Sequence, residues 1–201
     1  MRLEERLPDG VTVDGRFYRL DFDFRNVLRM MAELDRDDIM PEARTYNALR
    51  CLTKHPPKRK QARILAAVRK TLFPDKPGRE SEKVTDFVQD AGLIRTAFRQ
   101  VYGIDLFRDK LHWLEFSELL NNVPDGTRYT DVINIRVRPL PAPTKYNQKE
   151  REALMKAKAD LALQLTPEEQ ERRYAHDVQN VFKGLEGLMN RWGVTECQTG
   201  R

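Results

Sequence analysis

Tyr102-Gly103-Ile104-Asp105-Leu106, followed by Leu111-His112-Trp113-Leu114-Glu115-Phe116-Ser117-Glu118-Leu119-Leu120, is the densest run of large apolar residues in an otherwise polar chain. A helix closes at Tyr102, and Gly103 supplies the stop, because glycine enters the left-handed conformation without a Cβ penalty. A new helix is expected to start near Asp109, a residue type that caps orphan N–H groups. His112, Phe116, Leu119 and Val123 then share one face, and Leu111, Trp113, Leu114 and Leu120 widen it. That stripe is broader than a surface helix needs and places this helix at the centre of a core. Gly103, Asp105, Leu111, His112, Trp113, Phe116 and Leu120 form the signature of the stretch.

Working toward the N-terminus, Val11-Thr12-Val13-Asp14-Gly15-Arg16-Phe17-Tyr18-Arg19-Leu20 reads as a β-hairpin, with Asp-Gly as the dipeptide of a two-residue type I′ turn. Two strands alone are marginal in water, so the hairpin must lean on helices or on a strand of another chain. Helical spacing then predicts Asp23 to about Leu34, Pro41 to about Lys54 with proline at the first position, and about Gln61 to Leu72. His55-Pro56-Pro57 and Phe73-Pro74-Asp75-Lys76-Pro77-Gly78 break the pattern. A further helix is expected from about Ser81 to Tyr102, with Gly92 as its weak point. Residues 127–138 alternate like a strand, yet Tyr129, Val132, Ile133 and Arg136 suit a helix; helix is favoured because a lone strand needs an edge to pair with.

Pro139-Leu140-Pro141-Ala142-Pro143 is a stiff linker. It divides a hairpin-plus-helical domain, 1–138, from a C-terminal helical extension, 144–201. Two helices are expected in the extension, about Asn147 to Leu165 and Pro167 to Trp192, the second opened by Thr166, Pro167 and Glu169 as cap, first position and capping-box acid. Tyr174, Val178, Val181, Leu185, Leu188 and Trp192 make a heptad seam, shorter than the roughly three to four heptads that identify a coiled coil by pattern. It suits self-association or docking as well as packing onto its own domain. The fold class expected is mainly α: an N-terminal hairpin, a multi-helix bundle and a C-terminal helical extension.

Composition limits the partners. The chain has 201 residues, 40% hydrophobic and 33% charged, enough for one core beneath a heavily charged surface. No apolar run approaches the ~18 residues of a membrane span, and Met1-Arg2-Leu3-Glu4-Glu5-Arg6 lacks the apolar stretch of a secretory signal. Cys51 and Cys197 have no partner spacing and are expected to be free thiols in a reducing cytosol. Net charge is +5, but Arg44 to Lys70 holds nine cations and no acid, which leaves −4 for the remainder. Lys58, Arg59, Lys60 and Arg63 are the candidate basic patch, suited to phosphate or to an acidic protein face. No aromatic residues interleave them as a single-strand binder requires, so nucleic acid is not the expected partner.

Nothing in the sequence supports an enzyme, a metal site or a cofactor. His55, His112 and His176 lie in different segments without ligand spacing. There is no nucleophile elbow, P-loop or dinucleotide fingerprint. Asp21, Asp23, Asp35, Asp37 and Asp38 cluster loosely around the first helix, where capping and solvation account for them.

The wording of three segments, "YGIDL", "LHWLEFSELL" and "INIRVRPLP", resembles a family of small siphophage proteins encoded in the tail-morphogenesis region. "LPDGVTVDGRFYRLDFDFRNVL" is similar to that family's opening and "KYNQKEREALMKAKADLAL" to its lysine-rich end, so the resemblance covers about Leu7 to Leu165, with a poorly matching middle from about Arg44 to Gly78. Leu114 stands where the family often has a second tryptophan, and Thr166 to Arg201 extends past the usual end. The resemblance implies a mainly helical, self-associating tail-assembly chaperone. Such a protein coats the tape-measure protein and helps tail tube subunits polymerise along it, in the cytoplasm of the infected or lysogenic host. The alternatives are a structural or adaptor component retained in the virion, and a nucleic-acid-associated helical protein using residues 44–70. If the heptad seam drives self-association, Val181→Asp combined with Leu188→Asp lowers the assembly state in sedimentation; an unchanged state in a folded variant removes the seam from the argument.

Overall fold

The computed structural model describes residues 5–74 and 83–164. Among the described residues it is mainly helical behind an N-terminal two-stranded antiparallel sheet, as the sequence indicates. The elements are β1 (Gly10–Val13), β2 (Arg16–Arg19), α1 (Phe24–Leu34), α2 (Pro41–Leu52), α3 (Gln61–Leu72), α4 (Ala91–Tyr102), α5 (Trp113–Asn121), α6 (Arg128–Val137) and α7 (Gln148–Asp160). Backbone contacts divide the chain into two units, Met1–Glu80 with Asp90–Asn134, and Ser81–Gln89 with Ile135–Arg201.

In the first unit the hairpin has the register Gly10↔Arg19 to Val13↔Arg16. Asp14 and Gly15 both have positive φ, 51° and 75°, the signature of the type I′ turn. A Cβ on Gly10 would lie 2.1 Å from the Tyr18 carbonyl oxygen, so only glycine fits opposite β2 there. Val11 and Val13 share a face and are buried. β1 packs against α3, whose buried residues are Ile64, Val68 and Leu72. The hairpin therefore leans on a helix of its own chain, while β2 stays largely exposed. α1 buries Phe24, Val27 and Met30 and packs along α2, which has Pro41 at its start and ends at Leu52, two residues before the expected Lys54.

Two helix starts differ from the sequence expectation. α4 begins at Ala91, not near Ser81. The Asp86 carboxylate accepts from the N–H groups of Val88 and Gln89, both at 2.8 Å, which draws that backbone into turns, and Gly92 lowers the propensity to extend the helix backward. α5 begins at Trp113, not near Asp109. Residues 105–109 form their own turn: Asp105 Oδ1 accepts from Phe107 N–H at 3.0 Å, and Asp109 Oδ2 accepts from Asp105 N–H at 2.8 Å. Asp109 thus closes a turn instead of capping a helix. His112, expected on the core face, is the N-cap: its Nδ1 accepts from Leu114 N–H at 3.1 Å. At the other boundary, Gly103 ends α4 with φ of 70°, and the N–H groups of Gly103 and Ile104 both turn back to the Phe98 carbonyl.

The extended residues before α1 and α5 lie side by side. Phe24 N–H donates to Leu111 O at 3.0 Å and Trp113 N–H to Phe22 O at 2.8 Å, with Asp23 and His112 as antiparallel bridge partners. The two helices therefore leave from one point. Their first turns place Phe24 and Phe116 in stacked contact at 4.7 Å. Phe116 also stacks on Phe98 at 5.2 Å and meets Trp113 at 5.7 Å, and Trp113 meets Phe73 at 5.2 Å. Offset aromatic pairs of this kind add to the area they bury. Leu111, Trp113 and Phe116 are buried, and Leu114, Leu119, Leu120 and Val123 are half-buried. α6 is a helix: Thr127 Oγ1 accepts from Thr130 N–H at 3.2 Å at its start, and Tyr129 and Val132 are buried.

In the second unit Arg136 donates to Leu161 O at 2.7 Å and to Val84 O at 3.0 Å. Gln89 exchanges two hydrogen bonds with the far end, from its Nε2 to Ala162 O and from Gln164 N–H to its Oε1, both 2.9 Å. Lys158 Nζ reaches Arg136 O at 2.6 Å. α7 buries none of its residues and ends at Asp160, short of the expected Leu165; polar ties to backbone carbonyls, not an apolar stripe, fix it. The expected helix from Pro167 to Trp192, with its heptad seam, lies outside the described residues.

Trp113 is 4% exposed, and its Nε1 donates to Leu72 O at 3.3 Å. Trp113→Ala removes that bond and its ring contacts, and truncations of this size cost ~3–5 kcal/mol. Urea unfolding is expected to show a large fall in midpoint; an unchanged midpoint would place Trp113 outside the core.

Candidate functional site

The bridged segments form one wall of an open groove of about 860 Å³ in the first unit. Its floor includes Leu20, Phe22, Leu52 and Leu111, all buried. Arg50, Lys54 and Lys110 stand exposed at its lip. The extended run from Leu20 is held on both sides: Leu20 N–H donates to Asp9 O at 2.9 Å and Asp21 N–H to Leu52 O at 2.8 Å. This places Asp21, Asp23, Cys51 and His112 in the lining, residue types capable of acid–base or nucleophilic chemistry.

Asp21, Asp23 and His112 are held in hydrogen bonds, and Cys51 is not activated. His112 Nδ1 accepts from Leu114 N–H, so in the neutral ring Nε2 carries the proton and donates to Pro8 O at 2.9 Å. No ring nitrogen is left to move a proton. Burial, reinforced by Glu33, pushes the Cys51 thiol above its ordinary value, which keeps it protonated and poorly nucleophilic. Asp21 Oδ1 accepts from Asp23 N–H at 3.0 Å.

Asp23 carries the most connections. Its Oδ1 caps α1 through Arg25 N–H at 3.0 Å, and both carboxylate oxygens receive the Arg25 guanidinium at 2.9 Å. The same guanidinium continues to Phe107 O and Asp109 O, both at 3.1 Å. One arginine thereby fastens the start of α1 to the turn before α5, in the bidentate geometry that Arg–carboxylate pairs favour. Burial opposes the charge on Asp23, but the Arg25 side chain and the backbone N–H groups of Arg25 and Leu111 outweigh it and hold the carboxyl below the usual carboxylate range. The sequence marks Asp23-Phe24-Arg25 as a helix start within the family resemblance, but not the role of the Arg25 side chain. The available signal was its position two residues after a capping aspartate, where its side chain can fold back on the cap.

The basic patch is partly neutralised. Lys60 Nζ lies 2.7 Å and Arg63 Nη1 3.1 Å from Asp14 Oδ2 at the hairpin tip, and these contacts, the Lys60 hydrogen bond foremost, lower the Asp14 carboxyl. Lys60 adopts φ of 62° at the start of α3. Lys58 and Arg59 are exposed. Farther along the same run, Arg44 turns to Ile39 O at 3.1 Å. Gly103 and Asp105 shape the turn before α5. The candidate association residues Tyr174, Val178, Val181, Leu185, Leu188 and Trp192 lie outside the described residues.

Asp23 has a lowered pKa in the folded state, so its contribution is complete above the ordinary carboxylate range and is lost as pH falls through the lowered value. Asp23→Asn keeps a capping oxygen but loses the charge; at pH 7 the expected cost is about 1–2 kcal/mol. The gap between wild type and variant should begin to narrow below about pH 4 and close as pH falls through the lowered value. Denaturation curves from pH 7 to pH 3 measure it, and a pH-independent gap would show that the charge contributes nothing.

Among the described residues no helix is long and apolar enough to cross a membrane, and no group of three or more His, Cys, Asp or Glu side chains is placed to hold a metal ion. None of the curated proteins and none of the solved structures matches the chain. The family described as Bacteriophage Gp15 protein matches residues 3–163, a span that takes in the hairpin, the bridge between Asp23 and His112, and the groove beside it. The chain belongs to the Bacteriophage Gp15 protein family.

Proposed function

We propose that this phage protein is a non-enzymatic tail-assembly chaperone that binds the tape-measure protein and assists tail tube polymerisation in the host cytoplasm. The observation that carries the reading is the contrast between its interior and its surface. Asp21, Asp23 and His112 in the groove are tied into capping and bridging hydrogen bonds and the Cys51 thiol is raised, whereas large apolar side chains stand exposed in the first unit: Phe17 at 54%, Phe107 at 70% and Met40 at 74%. Exposed apolar side chains set among charges suit reversible recognition of another protein. A tape-measure protein, long and helical, exposes apolar stripes that must be covered until the tube forms around it, and helix-in-groove recognition meets that need. The resemblance of the Tyr102–Leu120 stretch to tail-morphogenesis proteins points the same way. The basic segment gives less support to a nucleic-acid role, because Lys60 and Arg63 are spent on Asp14.

Co-expression with the tape-measure protein of the same phage tests the proposal. The soluble fraction of that protein is expected to rise and to co-purify with this chain. Equal insolubility with and without the chain would refute a chaperone role, and recovery of the chain in purified virions would instead favour a structural component.

A further inference from the structure

A second depression, about 380 Å³, lies away from the groove and is lined by Arg95, Thr96, Arg99, Gln100 and Phe107. Phe107 is exposed, yet its backbone is clamped from below: its N–H donates to Asp105 Oδ1 at 3.0 Å and its carbonyl accepts from Arg25 Nη1 at 3.1 Å. The fold therefore presents an aromatic ring to solvent from a fixed turn. The Arg95 guanidinium sits 4.4 Å from the ring centroid. Among the described residues Arg95 forms no ion pair, so its charge is oriented but not neutralised. Arg99 and Arg108 share one carboxylate, Asp105 Oδ2, at 3.1 and 3.8 Å. Aromatic and arginine side chains are the types most enriched in binding hot spots, and guanidinium groups favour carboxylates in forked geometry.

We infer that this α4 face and the Phe107 turn dock an amphipathic helix of the client that carries two carboxylates one turn apart beside an apolar residue. Arg95 and Arg99 are four positions apart on α4, about 6 Å along its axis, which matches the spacing of acids at i and i+4 on a helix laid alongside. The apolar neighbour of those acids covers the Phe107 ring. Charge complementarity selects the occupant: the lining holds two arginines and no acid. A neutral apolar helix would leave the Arg95 charge desolvated and without an ion-pair partner and would strip water from the Arg99–Asp105 pair.

The inference rests on the chaperone reading, and one experiment separates the two. The full chain, wild type or with Arg95→Glu or Phe107→Ala, is co-expressed with the tape-measure protein, and the client retained on the chain is measured. Wild type is expected to retain it, less well as salt rises from 50 to 300 mM (about 14 to 6 Å of screening length). Each variant is expected to retain about tenfold less at an unchanged melting temperature. Should Phe107→Ala melt lower, Thr96→Glu carries the test, since among the described residues that hydroxyl bonds only Gly92 O within α4, at 2.8 Å. Variants that retain the client as well as wild type overturn the docking site while leaving the chaperone reading intact. A wild type that retains nothing overturns both. Variants that keep the client but lose self-assembly in sedimentation, or lose binding to a DNA duplex at 50 mM salt, assign the patch to another copy or to phosphate and overturn the inference.

Discussion

The first unit depends on a contact only three residues long between distant parts of the chain, the antiparallel pairing of Phe22–Phe24 with Leu111–Trp113. Each segment is extended only long enough to make its hydrogen bonds and then turns into a helix. The bridge partners, Asp23 and His112, are also the N-caps of α1 and α5. Backbone pairing, capping and helix direction are thus set at a single place. Because both helices start there, Phe24 and Phe116 arrive in register to stack, and the remaining aromatic cluster assembles around Phe116.

The polar side chains around that point have a common purpose. A bridge this short leaves donors and acceptors at its ends, and each buried one must find a partner. His112 meets Leu114 and Pro8, Asp23 meets Arg25, and Arg25 meets the Phe107 and Asp109 carbonyls. What reads as a cluster of reactive residue types is the set of hydrogen bonds that lets an extended segment survive among helices. The surface follows from this. Asp23 and His112 are turned into this framework, and the same framework holds Phe107 exposed, with the Arg95 guanidinium 4.4 Å from its ring.

Where local physics decided the outcome, the sequence was readable. Asp14-Gly15 specified its turn, Pro41 opened α2 and Gly103 closed α4. The errors arose where a side chain diverted backbone N–H groups. Asp86 held Val88 and Gln89 in turns and delayed α4, and Asp105 with Asp109 closed a turn that postponed α5. Periodicity reports which residues are apolar, not where a carboxylate competes with the helix for its donors. The groove was hidden for a different reason. Its walls come from residues 7–9, 19–26, 50–54 and 110–112, and nothing in any one of those stretches announces the others.

The hydrogen bonds that join these stretches span very long intervals: His112 and Pro8 are 104 positions apart, and Arg25 and Asp109 are 84 apart. Closing such a loop costs configurational entropy before any contact returns it, and folds with non-local pairing form slowly. On a ribosome adding ~5–20 residues per second, roughly 4–17 s separate the synthesis of Arg25 from that of Asp109. During that interval Phe22 and Phe24 have no Leu111 or Trp113 to pair with, and Asp23 has only its own arginine. The N-terminal half is therefore a nascent chain with an unfilled core, completed only when the Tyr102–Leu120 stretch emerges.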